Sequence, residues 1–241
     1  MMHRNVSCVS VCEPGSDFAR RVEADSEHCS ANLIHAPDLS TIYRDVLTSC
    51  RNFSGFTAKI DGRRALEQLF HSENLDNIVS VTIRESAGSA GRNSRLDQWN
   101  LFGEEICKLG YKPVFVPDTT RWFEKRQWSG LLFPEISLNM QLRMALYEAA
   151  TLNLFVNSGP AALCQLTPDL PYLCFKILTE GERLASQEVL SNLGFTIGET
   201  PPFATSNQKW VWEDDFYPTI YREFSDFCAQ RGASGSLIEK R

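Results

Sequence analysis

From residue 76 onward, short apolar segments alternate regularly with segments of helical period, and this alternation constrains the fold more than any other feature. The segment "YKPVFVPD" is almost continuously apolar, which is typical of a strand in a parallel sheet covered by helices on both faces. Strands and helices that alternate at this length predict βαβ units with right-handed crossovers. The predicted fold class is therefore α/β, with a mostly parallel sheet flanked by helices.

Strands are predicted over "NIVSVTIRE", "YKPVFVPD", "TLNLFVNSG", "PYLCFKIL" and "QKWVWEDD". Helices are predicted after Ser94 and over "NMQLRMALYEAA", "PAALCQLT", "GERLASQEVLSNLG" and "FYPTIYREFSDFCAQR". Ser94 is expected to be an N-cap, with Asp97 completing a capping-box-like pair, and Gly110 is expected to end that helix. Glu148 is expected to face solvent, and "WEDD" is interpreted as a solvated acidic turn.

Residues 1–75 lack this regularity, although "HAPDLSTIYRDVLTSCRNF" and "GRRALEQLFHSEN" are each expected to contain a helix. We therefore predict two units, an N-terminal segment over 1–75 and a sheet domain with a C-terminal helix over 76–241. All four histidines lie in the first unit: His3, His28, His35 and His71. Catalysis by histidine within the sheet domain is therefore excluded unless the N-terminal segment folds back over it.

The net charge of −6 argues against a nucleic-acid-binding protein, because duplex binding normally requires a cationic surface. No run of 18 apolar residues is present, and we expect no membrane span and no signal peptide. The eight cysteines form no CxxC pair, and contexts such as "EEICKLG" and "PYLCFKI" suggest buried free thiols in a reducing compartment, so a cytoplasmic location is expected. Cys8, Cys12, His28 and Cys29 match no common zinc spacing, and no metal site is predicted.

The first candidate binding segment is the loop in "VTIRESAGSAGRNSRLDQW", which joins a predicted strand to a predicted helix. Its small residues let backbone N–H groups approach a ligand, the helix adds its positive end, and its arginines supply charge-assisted bonds to phosphate. The loop matches neither GxxxxGK[ST] nor GxGxxG, so neither NTPase nor dinucleotide chemistry is indicated. The alternative is a flexible surface loop with solvated arginines. The candidate residues are Arg84, Glu85, Ser86, Gly91, Arg92, Asn93 and Ser94.

The second candidate binding segment is "FVNSGPAAL", where a strand ends at a polar turn and a helix begins. In open α/β sheets ligands bind at the carboxyl ends of the strands, so this turn and the first loop are expected to meet. An ordinary turn between strand and helix is the alternative, because its residues are turn formers anyway. The candidate residues here are Asn157, Ser158, Gly159, Pro160 and Ala161, together with Asp118 and Thr119 after "VFVP"; Asp118 is also interpreted as a capping residue.

Taken together, "TIRES…RNSRLDQWNLFGEEICKLGYKPVFVPD" and "LRMALYEAATLNLFVNSGPAALCQL…PYLCF" resemble the nucleotide-sugar-binding half of GT-B glycosyltransferases, in particular the heptosyltransferase-like group. The resemblance covers residues 76–178 and implies a Rossmann-like domain. It also implies binding of a nucleotide-diphosphate sugar and metal-independent transfer of the sugar to an acceptor, which is a glycan, a lipid-linked molecule or a small molecule. No separate cofactor is implied, because the nucleotide sugar is the donor substrate.

The chain departs from the pattern of that family at two points. The motif "NSGP" has no acidic residue before its glycine, and only about 75 residues precede the first clear strand, too few for the acceptor domain that carries the catalytic carboxylate. The catalytic residues therefore stay unassigned. Either the chain is interpreted as a fragment or a shortened relative of the family, or a partner chain is expected to supply the acceptor half. Two alternative functions stay open: a nucleotide-sugar epimerase of the same fold and a non-catalytic nucleotide-binding module.

Overall fold

The computed structural model describes residues 2–3, 55–70, 76–168 and 170–238. Its main sheet has six strands, and every neighbouring pair of them is parallel. A separate antiparallel pair is formed by β1 (Met2–His3) and β2 (Phe56–Thr57). The six strands of the main sheet are β3 (Ile78–Thr82), β4 (Lys112–Val116), β5 (Leu131–Leu132), β6 (Leu152–Val156), β7 (Tyr172–Phe175) and β8 (Gln208–Trp210).

The helices follow the strands in the predicted alternation. They are α1 (Ile60–Leu69), α2 (Leu96–Lys108), α3 (Pro134–Leu138), α4 (Met140–Ala149), α5 (Ala161–Gln165), α6 (Gln187–Asn192) and α7 (Tyr217–Ile238). Short 3₁₀ turns precede α2 and α6, at Ala90–Arg92 and Arg183–Ala185. None of the described helices combines the length and apolar character needed to cross a membrane.

The spatial order of the sheet is β5-β4-β3-β6-β7-β8. Numbered from β3, this is the order 3-2-1-4-5-6 of the doubly wound Rossmann sheet. The chain builds the sheet outward from β3 through β4 to β5, then returns to the other side of β3 and continues from β6. The predicted α/β fold with a Rossmann-like parallel sheet is confirmed, and the order places the crevice between β3 and β6.

Two apolar layers cover the sheet, one on each face. Along β3 the side chains alternate, so that Ile78 joins the layer under α1 and α4 while Val79 and Val81 join the layer under α2 and α7. Trp99 and Phe224 lie in the second layer, each almost fully buried. Because both faces are covered, the strands consist of nearly unbroken apolar residues, which is why the sequence pattern identified them.

Residues 55–70 pack against the same sheet domain through α4. Leu66 and Phe70 lie in the apolar layer that contains Met144, and a Cβ atom at Gly62 would lie 2.9 Å from the backbone oxygen of Gln141. The helix expected in "GRRALEQLFHSEN" is thus confirmed, beginning at Ile60. Several predictions fall outside the described residues: the other N-terminal helix, the histidines His28, His35 and His71, and the group Cys8, Cys12, His28 and Cys29. Of His3 only the backbone is described. The division of the chain at residue 75 stays a prediction.

Glu148 does not face solvent as expected, because its carboxylate connects α4 to β2 and α1. Oε1 accepts hydrogen bonds from Thr57 Oγ1 at 2.8 Å and from the backbone N–H of Ala58 at 3.0 Å, and Arg63 Nε lies 2.8 Å from Oε2. Burial alone would raise the pKa of Glu148, but these hydrogen bonds outweigh it and lower the pKa below its usual value. The sequence pattern missed this because the three donors lie 85 to 91 positions away.

Two local predictions about helix ends were wrong. Helix α2 begins at Leu96 without a side-chain cap from Ser94, whose hydroxyl instead accepts from the backbone N–H of Arg84 at 2.9 Å. The segment "GERLASQEVLSNLG" contains a 3₁₀ turn and then the short α6, because Ser186 caps a new helix by accepting from Val189. Gly110 follows α2 at a φ of +83°, as its assignment as the end of that helix requires.

Candidate functional site

A small cavity of about 50 Å³ lies where the carboxyl ends of β3, β4 and β6 meet, at the point where the strand order reverses. In doubly wound sheets ligands bind in the crevice at this point. The cavity is lined by Ile83, Arg84, Pro117, Asp118, Thr119, Arg143, Ser158 and Pro160. Five of these lining residues are among the binding residues predicted from the sequence: Arg84, Asp118, Thr119, Ser158 and Pro160.

Arg92 joins the two predicted binding segments across the crevice. Its Nη2 donates to the backbone carbonyl oxygen of Asn157 at 3.0 Å, so the loop after β3 and the turn after β6 are in direct contact. Its Nε is buried and has no hydrogen-bond partner among the described residues. One face of this guanidinium is therefore fixed by the protein, and one buried donor is left for a ligand.

Arg84 leaves the end of β3 and is held by its own loop. Its Nη1 donates to the backbone oxygen of Ser89 at 2.9 Å and to the side-chain oxygen of Asn93. Asn93 also accepts from Ser86 N at 2.8 Å and donates to the Ser86 carbonyl oxygen at 3.0 Å. The loop is therefore a hydrogen-bonded structure rather than a flexible chain. Burial and then the neighbouring charge of Arg92 lower the pKa of Arg84, a repulsion that a bound anion would relieve.

Asp118 fastens the loop after β4 to the loop after β3. Its Oδ2 accepts from the backbone N–H of Glu85 at 3.0 Å, and its Oδ1 accepts from the N–H and the hydroxyl of Thr120, each at 2.9 Å. Burial would raise the pKa of Asp118, but these bonds and the charge of Arg84 lower it. Glu85 itself pairs with Arg126 at 2.8 Å and does not neutralise Arg84. Asp118 thus connects the two loops, and its bonds to Thr120 agree with its interpretation as a capping residue.

The glycines of the first loop have fewer free backbone N–H donors than the sequence suggests. The N–H of Gly91 donates to Oε1 of Glu182 at 3.1 Å, and the N–H of Gly88 donates to the Ser86 hydroxyl at 3.3 Å. A carboxylate therefore occupies the backbone donor at which a phosphate oxygen was expected. Binding at Gly91 stays a prediction that requires Glu182 to be displaced.

The N-terminus of α2 is also occupied from within the protein. Asp215, which is fully buried, accepts from the backbone N–H of Arg95 at 2.8 Å and from Trp99 Nε1 at 2.7 Å. The end of the helix that was expected to face a ligand therefore holds the carboxylate of Asp215.

The acidic pair in "WEDD" belongs to a partly buried ion cluster rather than a solvated turn, with Asp215 buried and Asp214 half-buried. Lys176 Nζ lies 3.1 Å from Asp214 and 3.4 Å from Asp215, and Arg95 Nη2 lies 2.6 Å from Asp214. Lys176 also donates to the backbone oxygen of Asn93 at 3.0 Å, so a hydrogen bond connects the cluster to the first loop. Burial raises the pKa of Asp215, whereas Arg95 and Lys176 outweigh the burial of Asp214 and lower the pKa of that carboxyl.

The turn after β6 presents one side-chain donor that lacks an acceptor. The Ser158 hydroxyl is buried without a hydrogen-bond partner among the described residues. Gly159 has open space where a Cβ atom would lie, and Pro160 is the N-cap of α5, which begins at the buried Ala161. Within the described part of the chain, the turn therefore combines an unsatisfied hydroxyl with an open approach.

Arg143 was not predicted from the sequence, although it lines the cavity. It lies on α4 with 2% of its surface exposed, and its hydrogen bonds go to neutral acceptors, the Ser137 carbonyl oxygen at 3.1 Å and the Tyr147 hydroxyl at 3.4 Å. The segment "LRMALYEA" contains a signal for such a residue. Its arginine lies among apolar residues and has no carboxylate three or four positions away with which to form an ion pair on the helix. It was overlooked because the helix was assumed to bury only one face.

The predicted site residues thus differ in their surroundings, and Gly159 faces open space in the turn after β6. Arg84, Asp118, Thr119, Ser158 and Pro160 line the cavity, and Arg92 and Asn157 lie beside it in contact with each other. Glu85, Ser86, Asn93 and Ser94 shape the loops through hydrogen bonds, Gly91 is engaged by Glu182, and Ala161 is buried in α5. Among the described residues, no group of three histidine, cysteine or acidic side chains is placed to hold a metal ion.

The four cysteines of the described residues are all free thiols. Cys164 and Cys174 are buried, and burial raises the pKa of both thiols. Cys107, which was expected to be buried in "EEICKLG", is exposed.

No family model and no curated protein matches the chain. Among solved structures, the chain is similar to the crystal structure of the glycosyl transferase family 9 from Veillonella parvula DSM 2008, at 15% identity and a TM-score of 0.40. The match covers 52% of this chain and 38% of that one.

Proposed function

We propose that this chain binds a nucleotide-diphosphate sugar in the crevice between β3 and β6 and forms the donor-binding part of a glycosyltransferase. The observation that carries the proposal is the contact between Arg92 and Asn157, which brings a cationic loop next to the turn of the unpartnered Ser158 hydroxyl, where the strand order reverses. A ligand that crosses from one loop to the other meets arginines on one side and the Ser158 hydroxyl on the other. That arrangement fits a diphosphate.

Each group has a role in the proposed chemistry. Arg84 and Arg92 hold the diphosphate and stabilise the negative charge that builds on the departing nucleotide, which metal-independent transfer requires. The turn from Asn157 to Ala161 holds the ribose or a phosphate from the facing side. The transfer of a sugar, as opposed to nucleotide binding alone, is supported by the resemblance of "TIRES…RNSRLDQW" and "NSGPAAL" to GT-B glycosyltransferases. The proposed acceptor is a glycan, a lipid-linked molecule or a small molecule.

A non-catalytic nucleotide-binding module is the second candidate, and one observation favours it. Asp118 is the carboxylate among the described lining residues, and both of its oxygens already accept hydrogen bonds from the protein. A carboxylate with a lowered pKa that is engaged in this way is a poor general base. Under this candidate the chain would bind the nucleotide and present it without chemistry of its own.

Product analysis tests the proposal. The protein is incubated with UDP-, GDP- and ADP-sugars, first alone and then with mixed glycan and lipid-linked acceptors, and the nucleotide products are separated. Release of a nucleoside diphosphate that depends on the acceptor and is lost in Arg84→Ala supports transfer. Tight binding without turnover under any of these conditions supports the module, and an isomerised free nucleotide sugar would instead indicate an epimerase.

A further inference from the structure

We infer that Arg143 is the principal cationic ligand of one phosphoryl group, which occupies the small cavity between α4 and the turn after β6. This inference rests on the proposed function and specifies where in the crevice the phosphate lies. It assigns the main positive charge of the site to a buried helical residue rather than to the glycine loop.

The first support is the missing counter-charge. Arg143 is almost fully buried, and among the described residues no carboxylate lies within ion-pairing distance of it. Its two hydrogen bonds go to the carbonyl oxygen of Ser137 and the hydroxyl of Tyr147, which are both neutral. Arginine is almost never fully buried unless it is paired, because an uncompensated charge is costly to remove from water. A ligand with negative charge would compensate it.

The second support is the number of free donors. A guanidinium has five N–H groups, and the described residues accept hydrogen bonds from two of those of Arg143, which leaves three for a ligand in the cavity that it lines. The planar fork of an arginine matches two oxygens of a phosphate at once. The buried Ser158 hydroxyl, on the same cavity and without a partner, adds a further donor.

The third support is the charge and size of the cavity. Arg84 also lines it, and the one lining carboxylate in the described part, Asp118, is engaged by Glu85 and Thr120 and so is not a partner of Arg143. The volume of about 50 Å³ is several times the roughly 10–15 Å³ that one water molecule needs by the same measure. The cavity therefore has room for a phosphoryl-sized group.

The test compares Arg143→Met and Arg143→Lys with the wild type, using inorganic pyrophosphate and a panel of nucleoside diphosphates as ligands in isothermal titration. Methionine fills the space without charge, and lysine keeps the charge but loses the fork. We expect Arg143→Met to bind pyrophosphate at least tenfold more weakly, with a denaturation midpoint of the ligand-free protein at or above that of the wild type. Arg143→Lys is expected to lie between the two in affinity. Arg222→Met, an exposed arginine on α7 paired with Glu213, is the matched control and should bind as the wild type does.

A wild type that does not bind pyrophosphate, or an Arg143→Met protein that binds it within threefold of the wild type, would overturn the inference. A lower midpoint of ligand-free Arg143→Met with unchanged affinity would show that Arg143 has a structural role only. Should Arg143→Met fail to fold, Arg143→Lys decides: affinity at least threefold weaker supports the inference, and wild-type affinity refutes it.

The same measurements separate this inference from the proposed function. Pyrophosphate binding that depends on Arg143, without tighter binding of any nucleoside diphosphate, supports the phosphoryl site and contradicts the nucleotide-sugar proposal. Nucleotide binding that Arg143→Met does not weaken supports the proposal and contradicts the inference.

Discussion

The guanidinium of Arg92 donates to the backbone carbonyl oxygen of Asn157 at 3.0 Å and so connects the loop after β3 to the turn after β6. These segments lie 65 positions apart in the sequence and meet because β3 and β6 are adjacent parallel strands. The contact places the guanidinium of Arg92 where the strand order reverses. Not all donors of this guanidinium are used, since its Nε has no partner in the described part of the chain. Arg92 is therefore a structural link, and under the proposed function it is also a ligand-binding group.

Replacing Arg92 by alanine is expected to weaken binding of a nucleoside diphosphate by tenfold to a hundredfold. A hydrogen bond to a charged group contributes about 1.5–3 kcal/mol, and Arg92 would supply at least one to the diphosphate. Arg95→Ala is the matched control, because Arg95 pairs with Asp214 and lies over the ring of Phe216. It should lower the free energy of unfolding by about 1 kcal/mol and leave affinity unchanged. Isothermal titration of both variants decides, and equal losses of affinity would contradict the assignment.

Replacing Glu182 by glutamine is expected to strengthen diphosphate binding by about fivefold. The carboxylate of Glu182 occupies the N–H of Gly91 and repels an incoming anion, and its removal is worth about 1 kcal/mol in a solvent-exposed setting. Glu180→Gln, an exposed neighbour, is the control and should change affinity little. Affinity that is equal in Glu182→Gln and the wild type would show that the ligand does not approach the glycine loop.

Replacing Asp215 by asparagine is expected to lower the free energy of unfolding by about 1–2 kcal/mol, because an amide has one acceptor oxygen where the carboxylate has two and Lys176 loses one of its two acidic partners. The expected loss includes part of the cap on α2, since Asp215 accepts from Arg95 and Trp99. Urea unfolding followed by tryptophan fluorescence measures it. Asp226→Asn, on the exposed face of α7, provides the baseline, and a loss no larger than that baseline would refute the role of the cluster.

Replacing Glu148 by glutamine is expected to lower the free energy of unfolding by about 2 kcal/mol at neutral pH, because the charged acceptor of three hydrogen bonds is lost. The pKa of Glu148 is lowered in the folded state, so its stabilisation is complete above its ordinary pKa of about 4.3. It is lost as the pH falls through the folded pKa. The difference between wild type and variant should therefore be constant above pH ~5 and shrink at lower pH. A difference that does not shrink in acid would contradict this account.

Much of the sheet could be predicted from the sequence because its strands are buried on both faces, and apolar runs such as "YKPVFV" identify strands of that kind. The meeting of Arg92 with Asn157 was predictable in outline, since the carboxyl ends of adjacent parallel strands share one edge. Both predictions depend on local patterns combined with a general rule of topology.

The roles of Arg143, Asp215 and Glu148 were not predictable in the same way. Asp215 caps a helix that begins about 120 positions earlier, and no local pattern encodes that distance. Glu148 was assigned to a solvent face because its donors come from a segment whose packing on α4 the sequence does not show. Arg143 was missed because α4 is buried on more than one face, which the one-sided helix rule does not anticipate.

The central claim, that the crevice between β3 and β6 binds a nucleotide through its diphosphate, is tested most directly by thermal shift. The wild type and Arg84→Ala are compared against UDP, GDP, ADP, CMP and inorganic phosphate, each with and without magnesium. The account predicts a rise in the wild-type unfolding midpoint that is larger for one nucleoside diphosphate than for the others, does not require magnesium, and disappears in Arg84→Ala. A midpoint that no ligand raises, or a rise that persists unchanged in Arg84→Ala, would contradict it.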